Sequence, residues 1–376
     1  MKLRYIANIR LPTEKAHGIQ IMSMCAAFAS AGAEVELLVP DRHNKINDDP
    51  FVFYKVLRNF KIRKIKTFDL TRYERIFGKY AFFLQAWSFA RAVLRDARDN
   101  PADIYYHRDE MAFRSFAEAG LSSVWELHKV PGHLDIYRRA LDKARALVTI
   151  SKGIANALVA FRVPENKIIV APDGVDLEQF SSLPDRDESR AKFGFSQNEI
   201  VALYTGQLYP WKGVDTLVEA AAGLPENVAV AIVGGGAGRL EELKEKARRI
   251  GSRCRFFGQV KHEEVPAFLA AADIVVIPNS GKEEISRSYT SPLKLFEAMA
   301  AGKAIIVSDL PSMREVLDES VAVFFRPDDA ASLREKIITM ARDRETLDNL
   351  ATRARERSNG YSWEARAEAI LRQISI

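Results

Sequence analysis

Three consecutive pieces of the sequence decide the fold: Ala272-Asp273-Ile274-Val275-Val276-Ile277-Pro278, then Thr290-Ser291-Pro292-Leu293-Lys294-Leu295-Phe296-Glu297-Ala298-Met299-Ala300-Ala301-Gly302, then Ala304-Ile305-Ile306-Val307. Two short β-branched runs flank a run with helical spacing, the pattern of a parallel strand, a crossover helix and a second parallel strand. Ser291 suits an N-cap, Pro292 the first helical position and Gly302 a C-terminal cap, so the helix start is closely specified. Its free N–H groups and positive dipole end face whatever follows strand 274–277, where open α/β sheets bind ligands. A phosphate fits there, and Glu297 is placed to accept hydrogen bonds from a pair of sugar hydroxyls. A well-capped structural helix with a solvated Glu297 is the other reading of these residues.

The same alternation extends in both directions. Upstream strands are expected at 3–8, 34–39, 104–106, 124–127, 146–150 and 168–170, then at 200–204, 228–233 and 255–257, with helices opening at Val214, Arg239 and Pro292. Turn formers and charge crowd Pro172-Asp173-Gly174 and Ser181-Ser182-Leu183-Pro184-Asp185-Arg186-Asp187, which places a domain boundary between two successive βα domains. The last segment, from Tyr361-Ser362-Trp363-Glu364 to Ile376, has helical spacing after Asn359-Gly360. A length of 376 residues accommodates two such domains.

Composition narrows the class. With 47% hydrophobic and 28% charged residues the chain is neither disordered nor fibrous. Its two cysteines, Cys25 and Cys254, form no Cys-x-x-Cys pair, which argues against a disulfide scaffold or cysteine-built zinc site and for a reducing compartment. The amino terminus reads as a first strand, not a signal peptide, and no stretch is apolar for long enough to span a bilayer. The net charge of +5 is uneven, +7 in residues 1–180 and −2 in 181–376. Within 51–98 there are 12 basic against 3 acidic side chains and 12 of the 36 aromatics, so this segment is expected to meet a partner. No nucleic-acid motif accompanies it.

Other loops carry chemistry. Tyr204-Thr205-Gly206-Gln207-Leu208-Tyr209-Pro210-Trp211-Lys212-Gly213 runs from a strand into a Gly/Pro loop that opens a helix, where Lys212 adds a full charge to the helix dipole and suits a phosphate leaving group. A solvated lysine is its alternative. Val233-Gly234-Gly235-Gly236-Ala237-Gly238-Arg239 lets a ligand approach the backbone. It is not the dinucleotide fingerprint, because Arg239 stands where the last Gly is required and Cys254 where a ribose-binding acid belongs. In the first half, the loop ending His17-Gly18 is a further backbone anion site, and His128 sits at the carboxyl end of a strand, as a ligand-facing or a satisfied loop histidine. His128 and His133 lack zinc-helix spacing, so no metal site is expected.

Taken in order, these segments resemble glycosyltransferase family 4, retaining sugar-nucleotide-dependent enzymes of the two-Rossmann GT-B fold. The resemblance includes Ala16-His17-Gly18-Ile19-Gln20, Glu126-Leu127-His128, Thr149-Ile150-Ser151-Lys152, Pro172-Asp173-Gly174-Val175-Asp176, Gly206 to Gly213, the glycines after Val233, Phe257-Gly258-Gln259-Val260, the Glu297 helix and Tyr361-Ser362-Trp363-Glu364. It implies an α/β chain whose two Rossmann-like domains face each other across a cleft. Residues 1–178 would form an acceptor-side domain on which 361–376 pack back, and 179–360 a donor-nucleotide domain.

The resemblance also implies roles. Gly18 and the N–H groups after Ser291, from Leu293 onward, would hold the donor's diphosphate, with Gly206, Gly235 and Pro292 also beside the donor; Lys212 would neutralise it, Glu297 hold the ribose and Gln259-Val260 meet the base. His128 would face the transferred sugar. Two positions depart from the family: Gln207 occupies the place of an Arg, and Tyr289 that of the first Glu of a Glu, seven residues, Glu pattern, leaving Glu283, Glu284 or the Ser291 loop to read the sugar's outer hydroxyls. The expected reaction is metal-independent retaining transfer from a nucleotide diphosphate sugar to a hydroxyl of a glycan or lipid-linked acceptor, in cytoplasmic bacterial surface-glycan or glycolipid assembly. The leaving phosphate itself would help take the acceptor proton. The alternatives are a sugar-nucleotide epimerase of the same architecture and an inactive nucleotide-sugar-binding protein. The basic segment 51–98, with Phe77, Tyr80, Phe82, Phe83, Trp87 and Phe89 in its helix, reads as a surface for an anionic membrane, or else as core aromatics beside solvated charges.

Overall fold

The computed structural model describes residues 1–69, 78–236 and 238–375. Two compact units divide the chain, Met1–Pro172 with Trp363–Ile376, and Asp173–Ser362.

The first unit holds β1 (Lys2–Ile6), β2 (Glu34–Asp41), β3 (Lys61–Lys66), β4 (Ile104–His107), β5 (Ser123–Leu127), β6 (Ala146–Thr149) and β7 (Ile168–Val170). They form one parallel sheet in the order β3-β2-β1-β4-β5-β6-β7. Its chain order reverses between β1 and β4, a topological switch point. Strands β4 and β5 are buried throughout, as expected of a parallel sheet covered on both faces. Helix α1 (Ala16–Ser30) follows β1, α2 (Lys79–Asp99) precedes β4 and α3 (Glu110–Glu118) follows it. The carboxyl-terminal helix, Trp363–Ile374, packs on α1. Arg366 anchors it, donating to the Ala171 and Pro172 carbonyls.

Strand β3 departs from the expected pattern. Its sequence Lys61-Ile62-Arg63-Lys64-Ile65-Lys66 hides a strand inside a charge cluster. It lies at the sheet edge, where lysines discourage pairing with other chains. Arg63 turns back to Glu36 at 3.0 Å and Asp96 at 2.6 Å. Part of the basic excess is therefore neutralised within the unit.

The second unit holds β8 (Ile200–Thr205), β9 (Val228–Val233), β10 (Cys254–Gly258), β11 (Ile274–Ile277), β12 (Ala304–Ser308) and β13 (Val323–Phe325) in a parallel sheet ordered β10-β9-β8-β11-β12-β13. The switch point falls between β8 and β11. The turn-rich stretch at 181–187 is not simply a linker: Asp185 caps a helix, Arg186–Phe193, that belongs to this unit. From that helix the fully buried Arg190 reaches Asp273 Oδ2 at 2.5 Å, and the same oxygen accepts from the Val201 N–H at 2.8 Å. The Asp before β11 thus ties the helix to β8, which explains an acid at the head of an apolar strand.

Candidate functional site

In the second unit the carboxyl ends of β8, β9 and β10 converge through backbone bonds. The Gly206 N–H donates to the Val233 carbonyl at 2.9 Å, and the Gly234 N–H to the Gly258 carbonyl at 2.7 Å. A Cβ on Gly234, whose φ is +150°, would lie 1.7 Å from the Gly206 oxygen, so only glycine allows this approach. Gly235 faces the Gln259 side chain, and the Gln207 amide oxygen sits over Gly236. Gln259 is exposed while Val260 packs against the core.

Lys212 ends a 3-10 turn, Pro210–Lys212, ahead of helix α4 (Val214–Ala221). The loop is pinned to the segment after β11: Ser280 N–H and Ser286 Oγ both donate to the Trp211 carbonyl, and a Cβ on Gly213 would collide with the Pro278 oxygen at 1.9 Å. The Lys212 ammonium lies 3.9 Å from the centroid of the Trp211 ring. Desolvation by burial lowers its pKa to about 7.

Helix α5 (Leu293–Ala300) begins one residue later than the sequence suggests. Pro292, with ψ 121°, is the N-cap, and Ser291 does not cap the helix: its Oγ accepts from the Asp173 N–H at 2.9 Å. The far end follows expectation, since Gly302 at φ +59° closes a Schellman motif in which Lys303 N–H donates to the Ala298 carbonyl. Lys294 and Glu297, three residues apart, share one face of α5. Lys294 is buried, its ammonium has no hydrogen-bond partner among the described residues, and it lies 3.9 Å from the centroid of the Tyr204 ring. Burial, with Lys212 nearby, holds its pKa well below the usual lysine value. Burial raises the Glu297 carboxyl, opposed by His262 and Lys294. Of the acids considered for the sugar, Glu283 and Glu284 are exposed, and Glu284 is paired with Arg287.

Gly18 and His128 belong to the first unit. The Gly18 N–H is engaged, donating to the Lys15 carbonyl at 2.9 Å, and the Tyr54 hydroxyl occupies the space a Cβ there would need. The absence of a side chain at Gly18 thus makes room for Tyr54. His128 is half-buried and its Nε2 lies 2.6 Å from Glu126 Oε1. Glu126 is fully buried, accepting also from Gln20 Nε2 at 2.6 Å and from the Tyr106 hydroxyl, and pairing with Arg366 at 3.2 Å. Burial pushes its carboxyl up, but Arg366, His128 and Arg108 outweigh that and hold it well below the usual range. Burial, then Arg108 and Lys15, lowers His17 to about 4.

Beside these residues is a cavity of about 860 Å³. Arg108, Glu110 and Lys129 line its polar side, and Tyr80, Phe82 and Phe83 from α2 its apolar side. Those three aromatics and Trp87 are 48–69% exposed, whereas Phe89 is core and Phe77 lies outside the described residues.

Residues 18–179 match the family described as Glycosyltransferase Family 4, and residues 185–357 the one described as Glycosyl transferases group 1. A phosphatidyl-myo-inositol mannosyltransferase of Mycolicibacterium smegmatis is 32% identical over 207 residues, 54% of this chain and 50% of that one. A D-inositol 3-phosphate glycosyltransferase of Nocardia farcinica is 29% identical over 222 residues, 56% and 48% of the two chains. The chain thus spans about half the length of the curated relatives it matches. Among solved structures, Anabaena HepE in complex with UDP superposes with a TM-score of 0.77 at 19% identity over 100% of both chains. WaaG, a glycosyltransferase involved in lipopolysaccharide biosynthesis, does so with a TM-score of 0.70 at 18% identity, over 98% of this chain and 99% of that one. Two parallel Rossmann-like sheets, glycine turns at the switch point of the second, and two family matches that follow one another along the sequence identify this chain as a member of glycosyltransferase family 4, with the GT-B fold.

Proposed function

We propose that the protein transfers a sugar, with retention of configuration, from a nucleotide diphosphate sugar to a hydroxyl of a lipid-linked or glycan acceptor in surface-glycan or glycolipid assembly. The observation that carries the reading is the convergence in the second unit of the Gly206 and Gly234–Gly236 turns, the Lys212 loop and the start of α5, with Glu297 facing the same edge. Glycine turns admit a diphosphate to the backbone, Lys212 stabilises the charge that develops as it leaves, and Glu297 takes two ribose hydroxyls. The bound UDP of HepE and the lipid and inositol acceptors named for the relatives support this substrate class. We propose that charge stabilisation by Lys212 and the helix ends serves in place of a metal ion.

In the first unit, the cavity with an aromatic wall and a charged side suits an amphiphilic acceptor, and the exposed aromatics of α2 suit a membrane surface. The test is to incubate the protein with UDP-, GDP- and ADP-sugars and a bacterial lipid extract, and read the anomeric coupling of the product by NMR. A glycoside with the donor's configuration is expected. An inverted product overturns retention, and an epimerised free donor sugar nucleotide overturns transfer itself.

A further inference from the structure

An ammonium group inside a protein is costly unless it is paired. Lys294 is more than nine-tenths buried, and among the described residues its Nζ has neither a hydrogen bond nor an ion pair, only the face of Tyr204. Glu297, on the same helix face, makes no hydrogen bond to it. A second cation, Lys212, is close enough to depress it further. Two ammonium groups facing one edge, each short of a counter-charge, are a poor arrangement for the empty protein and a good one for a ligand carrying two or more negative charges.

Position supports the same reading. The Lys294 Cδ lies 3.9 Å from where a Cβ on Gly206 would stand, so its stem runs along the turn that carries Gln207. The Tyr204 hydroxyl donates to the Gln207 carbonyl at 2.6 Å, which holds that ring beneath the ammonium and fixes the turn. Gln207 is neutral, and its amide is directed over Gly236. The positive charge at this turn therefore comes from α5.

We infer that Lys294 is a second diphosphate-binding residue, which with Lys212 clamps the terminal phosphate of a nucleoside diphosphate and supplies the cation absent at Gln207. The inference rests on the donor-site reading above and adds to it a residue and a charge state. Because burial, and for Lys294 also the nearby Lys212, favours neutral amines in the empty site, binding of the diphosphate draws protons onto them. The other groups facing the pair are Glu297 and Tyr204, with His262 beyond Glu297.

Calorimetry with UDP, GDP and ADP at pH 8 tests this, repeated in buffers of different ionisation enthalpy to count protons. The unaltered protein should bind one of them with net proton uptake. Lys294→Met should bind that nucleotide roughly ten- to a hundredfold more weakly, take up fewer protons, and bind the corresponding nucleoside unchanged; adding Gln207→Arg should restore diphosphate affinity. Equal diphosphate affinity of Lys294→Met and the unaltered protein overturns the inference while leaving the donor site intact. Failure of the unaltered protein to bind any of the three overturns the donor-site reading itself. Should Lys294→Met not fold, the proton count of Lys212→Ala decides: uptake that persists on diphosphate binding requires Lys294, and its loss overturns the inference.

Discussion

His128 Nε2 lies 2.6 Å from a carboxylate oxygen of Glu126, and Glu126 is fully buried. The other partners of that carboxylate come from α1, β4 and the carboxyl-terminal helix. The His128 ring is thus held through Nε2 by a carboxylate that burial raises but its charged neighbours keep well below the usual range.

His128→Ala should therefore lose transfer by at least about a hundredfold and keep its affinity for the nucleoside diphosphate. Glu126→Gln, which retains the shape but not the charge, should lower kcat more than it raises KM and shift the pH profile of kcat. An unshifted profile with a lowered melting temperature would show that Glu126 serves the fold alone.

On the proposed reading, Lys212 is the cation that meets the leaving group. Removing one preorganised donor costs roughly 3 kcal/mol, about a hundredfold in rate, so Lys212→Ala should fold and be nearly inactive. Turnover within threefold of the unaltered enzyme, at saturating donor, would remove Lys212 from the mechanism.

Glu297 is expected to act through charge-assisted hydrogen bonds to hydroxyls, worth about 1.5–3 kcal/mol each. Glu297→Gln should weaken nucleoside diphosphate binding at least tenfold. A 2′-deoxy analogue, lacking one of the hydroxyls, should show a smaller penalty in Glu297→Gln than in the unaltered protein, as calorimetry would reveal.

Acid stability depends on two histidines, the buried His107 and the half-buried His17. Burial lowers His107, which sits between Phe113 and Phe116, to about 3, and His17 to about 4. Both titrate near 6.5 when unfolded, so the unfolded chain binds more protons below that pH, and stability should fall from about pH 6.5 down to about pH 3. His107→Phe suits the aromatic surroundings and cannot be protonated. Its loss of melting temperature between pH 7.5 and pH 5 should be smaller than that of the unaltered protein.

For the membrane surface, Arg58 and Arg63 have partners in Asp49, Glu36 and Asp96, which leaves Lys61, Lys64 and Lys66 exposed on β3 and the aromatics on α2. Co-sedimentation with liposomes should grow with anionic lipid content, weaken at high salt, and fall when Phe82, Phe83 and Trp87 become Ser. Binding to neutral and anionic liposomes alike, or to neither, leaves these groups as ordinary surface.

The sequence by itself determined the strands and glycine turns. Runs such as Ile274–Ile277 and Val228–Val233 are apolar on both faces because a parallel sheet buries both, and Gly206, Gly213 and Gly234 mark turns where backbone approaches backbone. Strand β3 was illegible because its lysines belong to an edge, and a charge cluster looks the same on an edge strand as on a loop. Ser291 had the chemistry of a cap, but the amide of Asp173, 118 residues earlier, competes for its hydroxyl, and that pairing exists only once the unit is folded. Lys294 on an amphipathic helix reads as a solvated side chain, and Glu126 as one residue of a strand. Tertiary structure decided both, because burial and charge compensation depend on groups far away in the sequence: Tyr204 and Lys212 for Lys294, and Gln20, Tyr106 and Arg366 for Glu126.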